Sequence, residues 1–135
     1  MSLLLDTGVL YAMADADDSW HRRVVRYLAK TSDVLITPVS VVPEAAYLLR
    51  ARLGPGVEQQ FIASLAAGEI AVEMLTVADI VRTAALMNDR PDLGFVDSSV
   101  VVVAERLRLT RIATTDRRHF SSIVPKHRTS FDLVP

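Results

Sequence analysis

The feature of this sequence that most restricts its fold is the alternation of short apolar runs with longer helical segments. Runs at residues 3–5, 33–37, 70–75 and 111–114 have the length of strands, and amphipathic segments separate them. Because the first run is apolar throughout, we expect both faces of its sheet to be covered by helices. The alternation predicts an α/β fold with a mainly parallel central sheet, and the length suits one domain spanning residues 1–135.

The segments between these runs predict helices. Their expected ranges are 7–13, 20–30, 39–53, 57–67, 76–87 with Thr76 and Asp79 forming a capping box, and 97–107. Gly54-Pro55-Gly56 separates the third and fourth helices, which predicts a helical hairpin. The last helix contains four valines that favour a strand by propensity, but Asp97 suits an N-cap and the run is long, so we predict a buried helix. Residues 131–134 predict an edge strand.

Composition excludes several classes of protein. There are no cysteines, which excludes disulfides and thiolate metal sites and fits a reducing cytoplasm. The N-terminus lacks the pattern of a signal peptide, and the apolar runs are too short to cross a membrane. The net charge of −1 argues against a general polyanion binder, so any nucleic-acid contact should be local. Half of the residues are hydrophobic, which predicts an interface with another chain.

Acidic residues occupy the ends of strands and the starts of helices. Asp6 and Asp116 each follow a short strand, while Glu44 and Asp97 begin predicted helices. Taken singly, each has an ordinary explanation as a cap, a turn residue or a first-turn acid. The carboxyl ends of parallel strands share one crevice, however, where clustered carboxylates repel each other unless a cation joins them. Oxygen ligands favour Mg²⁺, whereas the lack of cysteines and of an HExxH motif argues against zinc.

Four segments carry a resemblance to a known family. They are "LLLDTGVLYA", "SVVPEAAYLL", "LGFVDSSVVVVAERL" and "IATTDRRHFS", and the last is the most specific. Together they resemble PIN-domain ribonucleases, specifically the VapC-type toxins of bacterial toxin–antitoxin pairs. The resemblance covers essentially the whole chain and implies a three-layer α/β/α PIN-like fold with a central mainly parallel sheet and a helical hairpin.

The resemblance also implies the chemistry of the site. It implies an endoribonuclease dependent on Mg²⁺, with Mn²⁺ as a substitute, that cuts transfer or ribosomal RNA to leave 5′-phosphate and 3′-hydroxyl ends. The implied metal ligands are Asp6, Glu44, Asp97 and Asp116, with Glu44 either binding a second ion or orienting water. Further residues implied near the site are Thr115, which would bond a ligand carboxylate or the phosphate, and Thr7, Ser40, Ser98, with Arg117 and Arg118 contacting RNA phosphates. The implied partners are a small antitoxin and a second copy of the chain.

Several points stay open at this level. Relatives often carry another acid before the position of Asp97, and here Asp89, Asp92 or neither fills that role. His119 beside Phe120 fits a structural role better than a catalytic one, and one or two metals would satisfy the pattern. The alternatives to a ribonuclease are a non-catalytic binding or receiver-like module and a nuclease for structured DNA. A receiver-like module needs a lysine soon after a strand, and no lysine lies there. The short chain counts against a nuclease for structured DNA. For the homodimer, the hairpin around Tyr47, Leu48 and Leu49 is expected to offer exposed apolar surface.

Overall fold

The computed structural model describes all residues, 1–135, and contains one parallel sheet. Its strands are β1 Ser2–Leu5, β2 Val34–Pro38, β3 Ala71–Glu73, β4 Arg111–Ala113 and β5 Asp132–Val134. They are arranged in the order β3-β2-β1-β4-β5, and every neighbouring pair is parallel. The predicted α/β fold with a mainly parallel sheet is therefore confirmed.

Seven helices connect and cover the strands. They are α1 Thr7–Ala14, α2 His21–Lys30, α3 Val41–Leu53, α4 Pro55–Ala66, α5 Val77–Asp89, α6 Phe95–Leu107 and α7 Arg117–Ser121. Helices α1 to α4 pack as one group, α5 packs on α6, and α3 with α4 forms the predicted hairpin. Proline suits the first position of a helix, so Pro55 starts α4 two residues earlier than predicted. The short helix α7 was not predicted. No helix is long and apolar enough to span a membrane.

The centre of the domain is formed by β1 and α6. Leu3, Leu4 and Leu5 are fully buried, and the four consecutive valines of α6, residues 100–103, are at most 2% exposed. Burial on nearly all sides explains why α6 is helical despite the strand propensity of valine, since packing overrides a weak local preference. The prediction that Leu49 contributes to an exposed apolar surface is wrong, because that side chain packs inward and is 1% exposed.

The start of α6 differs from the prediction. Gly94, with extended backbone, is the N-cap, and its carbonyl accepts a 3.0 Å hydrogen bond from the Ser98 N–H. The expectation that Asp97 caps the helix is therefore wrong, because the N-cap lies three residues earlier, at Gly94. Asp97 lies in the first turn, where a carboxylate interacts favourably with the helix dipole.

The strand register places the ends of β1 and β4 side by side. Leu5 pairs with Ala113, and the Asp6 N–H donates a 3.0 Å hydrogen bond to the Ala113 carbonyl. Asp6 and the residues after β4 consequently lie at the same carboxyl edge of the sheet, which is where ligands bind in open α/β sheets.

Candidate functional site

Asp6 is a buried carboxylate between β1 and α1. Its side chain is held in place by two hydrogen bonds, from the Thr7 N–H to Oδ1 at 2.7 Å and from the Thr114 hydroxyl to Oδ2 at 3.0 Å. Burial, assisted by the negative charges of Asp97 and Glu44, raises the pKa of Asp6 from 3.8 to about 6, against the lowering effect of these bonds. Only 4% of the residue is exposed. An acid with these properties is typical of a functional site.

Thr114 connects the two acids that follow the strands. Besides bonding Asp6, its hydroxyl accepts a 2.9 Å hydrogen bond from the Asp116 N–H. Thr114 was not predicted as a site residue, whereas Thr115, which was predicted, forms no hydrogen bond and packs against Gly8 instead. A β-carbon added to Gly8 would lie 2.1 Å from Thr115 Oγ1. Only the register of β1 and β4, which the sequence does not specify, distinguishes the two threonines.

Asp97, Asp116 and His119 form a compact cluster of potential metal ligands. One ligand atom from each lies within 4.8 Å of the others. His119 Nδ1 is 2.8 Å from Asp116 Oδ2 and 3.8 Å from Asp97 Oδ2. Burial, followed by the charge of Asp116, raises the pKa of Asp97, and Glu44 adds to the shift while His119 opposes it. The role of His119 was left open by the sequence, and the structure places its ring against two of the four acids.

Glu44 is the exposed member of the acidic group. It lies in the first turn of α3, forms neither an ion pair nor a hydrogen bond, and is close enough to Asp6 and Asp97 to raise the pKa of both. The structure thus brings together all four predicted acids. The charges of Asp116 and Glu44 both raise the pKa of Asp97, and the charges of Asp97 and Glu44 raise that of Asp6. No arginine or lysine pairs with any of the four carboxylates.

Hydroxyl groups beside these acids are buried without partners. Thr7 Oγ1 and Ser98 Oγ each follow one of the carboxylates and form no hydrogen bond. Buried polar atoms are normally paired, so these two are suited to a ligand. Ser40, in contrast, is 2.6 Å from the hydroxyl of Ser99 and is already occupied. The unbalanced negative charge and the unpaired hydroxyls fit a hard, hydrated cation, which prefers oxygen ligands.

Asp89 and Asp92, the two acids shortly before Asp97 in the sequence, do not join the cluster. Asp89 is exposed at the end of α5. Arg90 binds both carboxylate oxygens of Asp92, at 2.9 and 2.7 Å, and this contact lowers the pKa of Asp92. Arg90 also donates a 2.9 Å hydrogen bond to Ser122 Oγ.

Arg117 and Arg118 are exposed beside the acids and form no ion pair. Arg117 donates a hydrogen bond to the carbonyl of Pro135, and its guanidinium lies 5.6 Å from the centre of the Trp20 ring. Arg118 is therefore free to contact an anion at the edge of the cluster, and Arg117 can do so with the N–H groups that do not bond Pro135.

Comparisons with known proteins identify the family of the chain. The family model described as PIN domain matches residues 3–124. Ribonuclease VapC26 of Mycobacterium tuberculosis (strain ATCC 25618 / H37Rv) is 32% identical over 135 residues, covering 98% of this chain and all of the relative.

Solved structures show the same fold at low sequence identity. VapC20 of Mycobacterium tuberculosis, described as a sarcin-ricin loop cleaving toxin, matches with a TM-score of 0.81 at 20% identity, covering 86% of this chain and 91% of its own. VapBC2 of Rickettsia felis, bound to a DNA fragment from their promoter, matches with a TM-score of 0.73 at 12% identity over the full length of both chains. FitAcB of Neisseria gonorrhoeae matches with a TM-score of 0.63 at 19% identity over 96% of both.

Proposed function

Because the chain belongs to the PIN-domain family, we propose that it is a metal-dependent endoribonuclease, the toxin of a VapBC-type toxin–antitoxin pair. The observation that carries the proposal is the convergence of Asp6, Glu44, Asp97 and Asp116 at one edge of the sheet, with no arginine or lysine neutralising them. A whole-length relative that bears the name ribonuclease supports it.

Asp6, Asp97 and Asp116 would hold Mg²⁺, with Mn²⁺ as a substitute, and Glu44 would bind a second ion or orient water. A bound divalent ion lowers the pKa of water and neutralises charge on the phosphate and the leaving oxygen. The attacking water forms a bond to phosphorus, and the bond from phosphorus to the 3′ oxygen breaks. Where Glu44 orients the attacking water, its exposed carboxylate would take the proton from that water, and the 3′ oxygen would take one from solvent. The products carry a 5′-phosphate and a 3′-hydroxyl.

The remaining residues position these groups. The hydrogen bonds from Thr7 and Thr114 fix the Asp6 carboxylate, and His119 fixes that of Asp116, as partners of metal ligands commonly do. Thr115 and the unpaired hydroxyls of Thr7 and Ser98 would face the bound ion or the phosphate. Arg117 and Arg118 would contact the RNA backbone.

The test is to incubate the protein with total cellular RNA and Mg²⁺ and to map the new 5′ ends. We expect a small number of discrete 5′-phosphate ends in loops of transfer or ribosomal RNA. In the cell, this cysteine-free chain would act in the cytoplasm. The ends should disappear with EDTA and with Asp116→Asn. Ends that persist in Asp116→Asn would contradict the proposal, as would binding of Mg²⁺ without any cleavage, which would favour a non-catalytic module.

The antitoxin is expected to inhibit by occupying the acidic site. An arginine of the antitoxin can bond two carboxylate oxygens at once and supplies the positive charge that the site lacks. Inhibition that survives replacement of every antitoxin arginine and lysine would contradict this arrangement.

We also propose a homodimer, with α5 as the contact surface. Val77, Ile80 and Val81 are 80%, 52% and 66% exposed on one face of α5, and Met74 beside them is 64% exposed. On the hairpin, Tyr47 is 70% exposed but Leu49 is buried, so the apolar surface there is smaller than predicted. Light scattering should show a dimer that Val77→Asp with Val81→Asp dissociates and Tyr47→Asp does not. A monomeric original protein would refute the dimer.

A further inference from the structure

Helix α2 carries a row of cations that the proposed chemistry does not use. Arg23, Arg26 and Lys30 follow a spacing of three and four residues, which places them on one face of the helix. All three are exposed, and none forms an ion pair. In a chain with a net charge of −1, this face is a local concentration of unpaired positive charge.

The row begins beside the acidic site. The guanidinium of Arg23 stacks on Trp20 at 4.1 Å from the ring centre, and that of Arg117 lies 5.6 Å from the same ring. Arg117 directly follows Asp116. One aromatic ring therefore links the positive face of α2 to the carboxylate cluster, and because Arg23 already covers the ring, Trp20 is suited to orienting arginines rather than to stacking on a base.

A groove of about 600 Å³ runs along this face and extends to the opposite edge of the sheet. Arg23, Arg26 and Lys30 line it together with Arg111, the first residue of β4. Its one acid, Asp33, forms an ion pair with Arg111, so it leaves the charges of the other three cations uncompensated. A ten-residue helix is about 15 Å long, which is enough to contact several consecutive phosphates.

We propose that the α2 surface, defined as Trp20, Arg23, Arg26 and Lys30, binds the phosphate backbone of the RNA on one side of the bond that is cut. The inference rests on the proposed ribonuclease function. An acidic protein segment would also be attracted to this charge, but the direct connection through Arg117 to the site of phosphodiester cleavage favours RNA. The contact is to phosphates, so it supplies affinity and alignment rather than base specificity.

The test compares two charge-matched variants of the full chain. Arg26→Gln with Lys30→Gln removes two cations from the α2 surface, while Arg108→Gln with Lys126→Gln removes two exposed, unpaired cations elsewhere. Binding of a short fluorescein-labelled single-stranded RNA is measured by anisotropy in EDTA over a range of salt concentrations. Cleavage of the same RNA is measured separately with Mg²⁺.

We expect the α2 variant to bind about tenfold more weakly and its slope of log affinity against log salt to fall by roughly 1.4, or about 0.7 for each lost phosphate contact. In cleavage, KM should rise while kcat stays close to that of the original protein, since docking rather than chemistry is changed. The control variant should match the original protein in both assays.

Two results would overturn the inference. One is an α2 variant that binds RNA with unchanged affinity and salt slope, and the other is an equal loss in the control variant. In both cases, Mg²⁺-dependent cleavage by the original protein would leave the ribonuclease proposal standing. Absence of cleavage by the original protein would instead refute the proposed function itself.

Discussion

The hydroxyl of Thr114 donates a 3.0 Å hydrogen bond to Asp6 Oδ2 in the interior of the protein. The same hydroxyl accepts a hydrogen bond from the Asp116 N–H. One buried side chain thus sets the positions of two acids that are more than a hundred residues apart in the sequence. Its removal should affect both the stability of the fold and the binding of the metal.

We predict that Thr114→Val destabilises the protein by about 1–3 kcal/mol and weakens Mg²⁺ binding. Valine preserves the shape but leaves Asp6 Oδ2 and the Asp116 N–H without their partner. Thr37→Val is the matched control, since the buried Thr37 hydroxyl bonds only the Leu5 carbonyl, at 3.1 Å. Chemical denaturation with and without Mg²⁺ should show a stability loss in both variants but a reduced Mg²⁺ response in Thr114→Val alone. An undiminished Mg²⁺ response in Thr114→Val would show that Thr114 does not contribute to metal binding.

We predict that Asp6→Asn stabilises the metal-free protein above about pH 7. The folded-state pKa of Asp6 is raised from 3.8 to about 6, so the folded protein holds this proton more tightly than the unfolded chain does. The stabilising effect of the bound proton is fully present below the unfolded pKa and is lost as the pH rises through about 6. At higher pH the ionised, buried carboxylate then costs about 3 kcal/mol, at roughly 1.4 kcal/mol for each pKa unit.

Asparagine removes that charge and can keep both hydrogen bonds, by accepting from the Thr7 N–H and donating to Thr114 Oγ1. Unfolding measured from about pH 4 to 8 in EDTA should show a gain for the variant that shrinks toward the acidic end. With Mg²⁺ well above its dissociation constant, the original protein should gain about 1–3 kcal/mol and the variant much less. Equal Mg²⁺ gains together with intact RNA cleavage would reduce Asp6 to a helix cap, because asparagine caps as well as aspartate.

We predict that Gly8→Ala destabilises the protein by about 1–2 kcal/mol through its contact with Thr115. The added β-carbon would lie 2.1 Å from Thr115 Oγ1, which forces the threonine to rotate or the backbone to shift. Thr115→Ala removes the obstructing atom, so the double variant should recover most of the loss. The measurement is a double-mutant cycle from denaturation curves. If the effects of the two substitutions on the free energy of unfolding simply add, the contact with Thr115 is not the cause of the destabilisation by Gly8→Ala.

The sequence predicted the elements well because local periodicity and capping determine them, as the capping box of Thr76 and Asp79 illustrates. It also predicted that Asp6 and Asp116 follow strands that end at one edge of the sheet, since the ends of parallel strands share that edge. It could not distinguish Thr114 from Thr115, because that choice depends on the register between β1 and β4. The place of His119 depends on α7, a five-residue helix whose start is fixed by a hydrogen bond to the side chain of Asp116 rather than by any periodic pattern.

We predict that His119→Ala weakens Mg²⁺ binding by about tenfold, whereas His119→Asn largely retains it. The imidazole Nδ1 holds Asp116 Oδ2 at 2.8 Å, and loss of a group that orients a metal ligand typically costs tenfold or more in affinity. The asparagine amide nitrogen occupies the place of Nδ1 and can still donate to that oxygen, while alanine cannot. His127→Ala is the control, because His127 bonds the Leu109 carbonyl and lies outside the acidic cluster. The measurement is a Mg²⁺ titration followed by thermal melting at constant pH. Tighter Mg²⁺ binding in His119→Ala would mean that the imidazole competes with the metal for Asp116, which is the opposite of an orienting role.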